Sequence, residues 1–347
     1  MTARPGKVTQ REIARIAGVS QTVVSMVLND RDDTNVRIPA ATRERVRRAI
    51  EQSTYVADPA ARRLAGLDNK ILGVFTYESA LTPESMDFYG PLLNGIERAA
   101  ERLGCDLLFF TGSPVEEGRR RLFHRDTRLR LADGCVLLGQ QMDGEDLERL
   151  VAESFPFVAV GRRDETDADV PYVGIDYGAL TATLITRAAE LGHRRAVYVH
   201  RDRDSPTARD RLAAITTSTG QVAFTLTAVG DDLTGLPGII TAQGATAVFA
   251  EDAFLVEDIA LVLSEAGITA PAQVSLAALG EVRGHRIAER PLTGFQVPRQ
   301  QIAAEALALL QQLISTPADE QAAITRQRLL QGDVEYGGTL VARGGAR

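Results

Sequence analysis

The chain has 347 residues, of which 44% are apolar and 24% charged, an ordinary globular composition with length for a small module and a larger two-part body. No stretch nears the roughly 18 uninterrupted apolar residues of a membrane span, and Met1 to Lys7 lacks a secretory apolar block, so a cytoplasmic protein without membrane contact is expected. The net charge of −7 is uneven: residues 1–66 hold 12 Arg or Lys against 7 Asp or Glu, leaving a net of −12 on the remainder, as in a phosphate-binding head on an acidic body.

Thr9-Gln10-Arg11-Glu12 has the form of a capping box, in which the Thr9 hydroxyl accepts from the Glu12 amide and the Glu12 carboxylate reaches back. The helix it starts places Ile13, Ile16 and Ala17 on one face, and Gly18 supplies the left-handed turn that ends it. Ser20 then caps a second helix, Gln21 to Leu28, with Val23, Val24, Val27 and Leu28 inward and Gln21, Thr22 and Ser25 outward. Two short helices joined by Ala17-Gly18-Val19-Ser20 predict a helix-turn-helix, whose second helix offers its first side chains to the DNA major groove. Gln21 and Thr22 suit base reading, since an amide can pair with adenine and a hydroxyl with any base. After a polar loop, Pro39 opens a third helix in which Arg43, Arg45, Arg47 and Arg48 interleave with Val46 and Ile50, as phosphate contacts or as a solvated face.

Val8-Thr9, Ile13-Ala14, Ala17 to Ser20, Val24-Ser25, Val27-Leu28-Asn29 and Thr42 to Val46 together resemble the lactose-repressor/galactose-repressor (LacI/GalR) family. That resemblance implies DNA contacts at Thr9, Ser20, Gln21, Thr22, Ser25 and Asn29. It also implies a hinge helix over 58–69, where Ala61 meets the minor groove and Leu64 wedges into it, kinking the duplex. Met26 stands where the family usually carries an arginine, and Val23 replaces a frequent small or hydroxyl residue, so the operator sequence does not carry over.

From Lys70 onward apolar runs alternate with amphipathic stretches. Strands are predicted at Ile71 to Tyr77, Cys105 to Thr111, Cys135 to Gly139, Phe157 to Gly161, Ala196 to His200, Val222 to Val229, Ala247 to Ala250 and Val274 to Leu279. Helices are predicted at Pro91 to Leu103, Leu180 to Leu191, Phe254 to Ala266 and Ile302 to Ile314. Continuous apolar strands are covered on both faces, so the fold class is an all-α helix-turn-helix head, 1–57, and an α/β body of two doubly wound parallel-sheet lobes.

The resemblance extends through Gly95-Ile96-Glu97, Ala132-Asp133-Gly134, Asp176, Leu191 to Arg195, Ala208 to Leu212 and Arg290 to Thr293. It implies a periplasmic-binding-protein-like body over 70–347 that dimerises and holds a small effector between lobes. Lobe 1 is expected near 70–172 and 298–322, lobe 2 near 173–293 and 325–347. Ligands of open α/β sheets bind beyond the carboxyl ends of the strands, which gathers Tyr77, Glu78, Gln140, Arg162, Glu251, Asp252 and Glu281 at one cleft. Arg211 matches a family effector-binding arginine, and Phe88 and Tyr89 stand where relatives place stacking aromatics. Gly161 and Gly280 replace frequent effector-binding carboxylates. A sugar or polyol is the expected effector, pseudopalindromic double-stranded DNA and a second copy of the chain the expected partners.

Catalysis and cofactors are not expected. Asp176 and His193, the tempting acid-base pair, read as a structural aspartate and a turn residue. His124, His200 and His285 lack metal spacing, and Cys105 and Cys135 read as reduced core residues. The competing functions are a solute sensor without repressor activity and an effector-dependent activator.

Overall fold

The computed structural model describes residues 8–28, 38–53, 55, 69–116, 118–201, 204–218, 220–230 and 232–343. The chain forms two units, Met1–Ile71 and Leu72–Arg347. Asn29, Ala61, Leu64 and all but Asn69 of the expected hinge lie outside the described residues.

In the first unit, α1 (Gln10–Ala17) begins at Thr9, whose hydroxyl accepts from the Glu12 amide at 3.4 Å, and ends at Gly18 with φ of 63°. The reciprocal half of the expected capping box is replaced: the Glu12 carboxylate takes Arg15 at 3.0 Å instead. Ser20 caps α2 (Gln21–Leu28) through the Val23 amide at 3.3 Å, and α3 (Ala40–Glu51) follows Pro39. Ile13, Ala14, Ala17, Val24, Val27, Ile38, Val46 and Ala49 form the core of this three-helix unit. Ile16, expected inside, is 52% exposed, because helical spacing allows it to lie at the margin of a stripe already filled by Ile13 and Ala17.

The second unit contains two six-stranded sheets. Lobe 1 pairs β1 (Ile71–Thr76), β2 (Asp106–Phe109), β5 (Gly134–Leu138), β6 (Phe157–Val160), β7 (Tyr172–Ile175) and β15 (Gln327–Leu330) in the order β15-β7-β6-β5-β1-β2. A small antiparallel hairpin, β3 (Val115–Glu116) and β4 (Arg119–Arg120), is inserted after β2. Lobe 2 pairs β8 (Arg195–Arg201), β9 (Ala223–Val229), β10 (Ala247–Ala250), β11 (Ser275–Glu281), β14 (Thr293–Gln296) and β16 (Asp333–Glu335) in the order β16-β14-β11-β10-β8-β9. Only β16 is antiparallel to its neighbour among the registers described. A second short hairpin joins β12 (Arg286–Ile287) to β13 (Arg290–Pro291).

Helices cover both sheets, as continuous apolar strands demand: every residue of β5 and of β10 is buried. In lobe 1, α4 (Met86–Leu103) packs on α10 (Arg299–Ser315), and α5 (Gly144–Ala152) follows β5. A Cβ on Gly95 would lie 2.3 Å from the Gln300 carbonyl oxygen, so only glycine lets these two helices approach. Lobe 2 carries α6 (Tyr177–Glu190), α7 (Pro206–Thr217), α8 (Leu236–Gln243) and α9 (Ala253–Glu265).

The chain passes between lobes after β7, after β14 and after β15. Because β7 and β15 pair with one another in the lobe 1 sheet, two crossings fall a few residues later than the sequence suggests. The three segments meet: the Asp176 amide donates to the Leu330 carbonyl at 3.0 Å, and a Cβ on Gly332 would touch Ile175 at 2.6 Å and the Gln296 carbonyl at 3.0 Å. The three connecting segments therefore form one junction between the lobes rather than independent linkers.

Candidate functional site

The head presents its chemistry at the start of α2. Val24 and Val27 anchor that helix in the core, which leaves Gln21 and Thr22 exposed and Ser25 half-buried. The Thr9 and Ser20 hydroxyl oxygens are occupied as caps, yet each hydroxyl keeps its own hydrogen for a phosphate oxygen. On α3, Arg45, Arg47 and Arg48 are exposed, and Arg48 makes only a loose pair with Glu44 at 3.5 Å. Polar side chains and amide hydrogens at one helix start, with arginines on a neighbouring helix, make a surface suited to phosphate and base edges.

The body's cleft is built where β strands of both sheets end. On the lobe 1 side, Glu78 follows β1 and accepts from the Tyr89 hydroxyl at 2.5 Å and from the Gln140 amide at 3.1 Å. Tyr89 is buried, and burial together with Glu78 raises its hydroxyl pKa well above the ordinary value. Phe88 is 37% exposed, edge-on to Tyr89 at 4.9 Å, with the Arg299 guanidinium 5.1 Å from its ring centre. Arg299 also donates to Glu281 at 3.2 Å, and the same carboxylate accepts from the Val297 amide at 2.9 Å, which ties the end of β11 to the second crossing.

Tyr77 turns away from Glu78 and borders a smaller cavity with Arg119, Arg120 and Arg121. It is 1% exposed, packs against Phe75 and donates its hydroxyl to Asp146 at 3.4 Å, so it belongs to the lobe 1 core. Strand alternation explains the correction: a single residue beyond β1 turns the side chain to the opposite face, and the next residue, Glu78, is the one that reaches the cleft side.

Arg162 and Arg163 follow β6 and diverge. Arg162 crosses to lobe 2, donating to both carboxylate oxygens of Asp210 at 3.1 and 2.8 Å and to the Pro206 carbonyl at 2.9 Å. Burial pulls its pKa down, but the bonds and charges of Asp210 and Asp164 outweigh burial and the net shift is upward. Arg163 is buried against Glu165 at 3.0 Å and lowered by that burial, and its Nε donates to the Gly161 carbonyl at 3.1 Å. Gly161 has φ of 93°, a backbone conformation that strains any residue with a side chain, and a Cβ there would require the Arg163 guanidinium, 2.6 Å away, to shift.

Lobe 2 contributes α7. Arg209 reaches back to Asp164 at 2.5 Å and also pairs with Asp204, whose carbonyl accepts from Gln141 at 3.2 Å. Arg211, expected as an effector ligand, is buried: its Nε donates to the Leu279 carbonyl at 2.6 Å and its guanidinium lies 4.4 Å from the Tyr177 ring centre. Burial raises the neighbouring Tyr198 hydroxyl to about 12, with the Arg211 charge opposing. Glu251 and Asp252 turn to Arg201, Glu251 accepting from its amide at 3.0 Å and Asp252 from its side chain at 2.9 Å, while Asp252 also caps α9 through the Leu255 amide.

Between the lobes lies a cavity of about 440 Å³ lined by Arg119, Gln141, Met142, Asp164, Glu165, Asp204, Pro206 and Arg209. That volume falls within the range of small-ligand sites. The lining residues lie one to three positions from those expected at the strand ends and on α7: Gln141 beside Gln140, Asp164 and Glu165 after Arg162, and Arg209 before Arg211. Arg119 carried no signal, because it sits on a hairpin that a strand-by-strand reading does not register.

The two alternative catalytic residues are structural. Asp176 caps α6 through the Ala179 amide at 2.8 Å, and His193 is buried with its ring nitrogens 2.8 Å from the Thr246 hydroxyl and 2.9 Å from the Val341 carbonyl. No cluster of metal-ligating side chains occurs among the described residues, and none of their helices is long and apolar enough to cross a membrane.

Residues 9–58 match the bacterial regulatory proteins of the lacI family, and residues 185–339 match the periplasmic binding protein-like domain. The chain is 27% identical over 317 residues to the HTH-type transcriptional regulator CelR of Thermobifida fusca, covering 87% of this chain and 90% of that one. It is likewise 27% identical over 313 residues to the regulator GalR of Salmonella typhimurium, covering 87% and 88%. Among solved structures, the lac repressor dimer bound to operator and an anti-inducer overlays with a TM-score of 0.68 at 20% identity, over 97% of this chain and 100% of that one. The CelR–cellobiose complex overlays with a TM-score of 0.59 at 21% identity, over 97% and 100%. A capped helix-turn-helix matching one half of this pattern, and a two-lobed α/β body matching the other, place the chain in the LacI/GalR family of transcriptional regulators.

Proposed function

We propose that this protein is a cytoplasmic, sequence-specific repressor that grips a pseudopalindromic DNA operator as a homodimer and is controlled by a carbohydrate or related polyol held between its lobes. The observation that carries the reading is the pairing of two surfaces in one chain: a helix start with Gln21 and Thr22 exposed, and a cavity of about 440 Å³ crossed by ion pairs from both lobes. The names of the relatives support the ligand class, since one is a CelR complexed with cellobiose and another a sucrose operon repressor. A single three-helix head covers little DNA, whereas two heads on a twofold body add their binding energies. On the body, α9 exposes Phe254 and Leu261 at 60% and 62%, apolar area of the kind that a second copy covers.

Ligand binding changes the angle between lobes about the three-stranded crossing, and so the placement of whatever precedes residue 72. An effector alters operator affinity by as much as it distinguishes the two lobe arrangements. Anisotropy titration of the intact chain against the DNA flanking its own gene tests the DNA half. Specific binding is expected, and Gln21→Ala should lose about 1–3 kcal/mol of it while leaving affinity for random DNA unchanged. Equal loss on random DNA would remove Gln21 from base reading, and no binding by the intact chain would refute the repressor assignment.

A further inference from the structure

We propose that the interlobe cavity selects an effector carrying a carboxylate or phosphate beside its hydroxyls, and that the Arg119 guanidinium is the group that holds this anion. The proposal rests on the carbohydrate-controlled reading above and narrows it to acidic polyols.

The charges lining the cavity decide this. Asp164 accepts from Arg162 at 3.0 Å and from Arg209 at 3.2 and 2.5 Å. Glu165 accepts from Arg163 at 3.0 Å, from the Met142 amide at 3.4 Å and from the Asp164 amide at 3.0 Å. Asp204 is paired with Arg209. Every lining carboxylate therefore already has its cation, and the cation of Arg209 is already answered by two carboxylates.

Arg119 differs. It is half-buried, it lines both this cavity and an adjoining one of about 210 Å³, and it has no hydrogen-bond or ion-pair partner for its side chain among the described residues. Its two successors are engaged: Arg120 donates to the Thr76 and Glu78 carbonyls at 3.2 and 2.7 Å, and Arg121 pairs with Asp143 at 2.5 Å. A partly desolvated guanidinium without a counterion leaves a planar fork of donors whose best complement is a carboxylate or phosphate. A neutral sugar offers Arg119 only hydroxyls and leaves unanswered the one lining charge that has no partner among the described residues.

Calorimetric titration of the intact chain with glucose, gluconate, glucuronate, glucose 6-phosphate and inorganic phosphate alone tests the proposal. At least one acidic sugar is expected to bind about tenfold or more tighter than glucose. Arg119→Ala and Arg119→Gln should both bring the acidic sugars to within about threefold of glucose measured on the same variant, and Arg119→Lys should retain part of the preference. Gluconate and glucuronate against glucose 6-phosphate separate a carboxylate from a phosphate. Glucose binding as tightly as its acidic derivatives overturns the proposal and leaves the carbohydrate-controlled reading standing, as does an acidic preference that survives Arg119→Ala. Inorganic phosphate binding as tightly as glucose 6-phosphate also counts against an acidic polyol. No heat from any sugar at about 10 mM overturns both the acidic preference and the carbohydrate reading.

Discussion

Replacing Arg162 by alanine removes a strut between the lobes, and the geometry bounds its worth. The guanidinium donates to both oxygens of Asp210 and to the Pro206 carbonyl across the cleft, and the two side chains are 23% and 25% exposed. Fully exposed pairs contribute about 0.2–1 kcal/mol, and breaking fully buried ones costs about 3–5 kcal/mol. A bidentate pair about three-quarters removed from water lies between, at about 1.5 kcal/mol, with Asp164 recovering a fraction when Asp210 is absent because it also accepts from Arg162 at 3.0 Å. A double-mutant cycle of Arg162→Ala and Asp210→Ala, read by urea unfolding of the intact chain, should give a coupling of about 1–2 kcal/mol. That coupling should shrink by less than half when salt is raised from about 0.05 to 0.5 M, since a partly buried pair is screened less than a surface pair. Coupling below about 0.3 kcal/mol would show that the lobes are held together by packing at the crossings alone.

Two further outcomes follow from burial. Ile13 is fully buried in the small head core, so Ile13→Ala should cost about 2–5 kcal/mol there and abolish operator binding. Effector binding by the body should persist in calorimetry, because the body has its own core. Burial lowers the pKa of His193 below the usual 6.5. An unfolded chain then takes up a proton that the folded one resists, so the stability His193 contributes is present above about pH 6.5 and declines as pH falls below it. Denaturation midpoints between pH 7 and 5 should therefore fall less steeply in His193→Gln than in the natural chain, and an equal slope would assign the pH dependence elsewhere.

Carboxylates at the strand ends are already engaged within the protein. Glu251, Asp252 and Glu281 stand at strand ends as expected, yet each carboxylate is bound within the protein, to Arg201 or to Arg299 and the Val297 amide. Acidic residues near a cleft are not by themselves ligand acceptors; what counts is whether a nearby cation has already claimed them.

Local chemistry was enough for much of this protein. Thr9, Gly18 and Ser20 announce two helix starts and an end because caps and left-handed turns act within four residues, and uninterrupted runs such as Cys135 to Leu138 announce strands buried on both faces because apolar area has one place to go. The family followed from those same short segments. Tertiary structure alone decided which face each strand-end residue meets, so that Tyr77 went to the core and Glu78 to the cleft side. It decided that Arg162 would bind Asp210 while Arg211 donates to the Leu279 carbonyl beside the Tyr177 ring, that β7 and β15 would share a sheet across some 150 residues of chain, and that Arg119 would be the one lining charge without a partner among the described residues. Such outcomes depend on pairings between residues far apart in the chain, and a charge pattern read along a single strand carries no record of which opposite charge the fold will bring beside it.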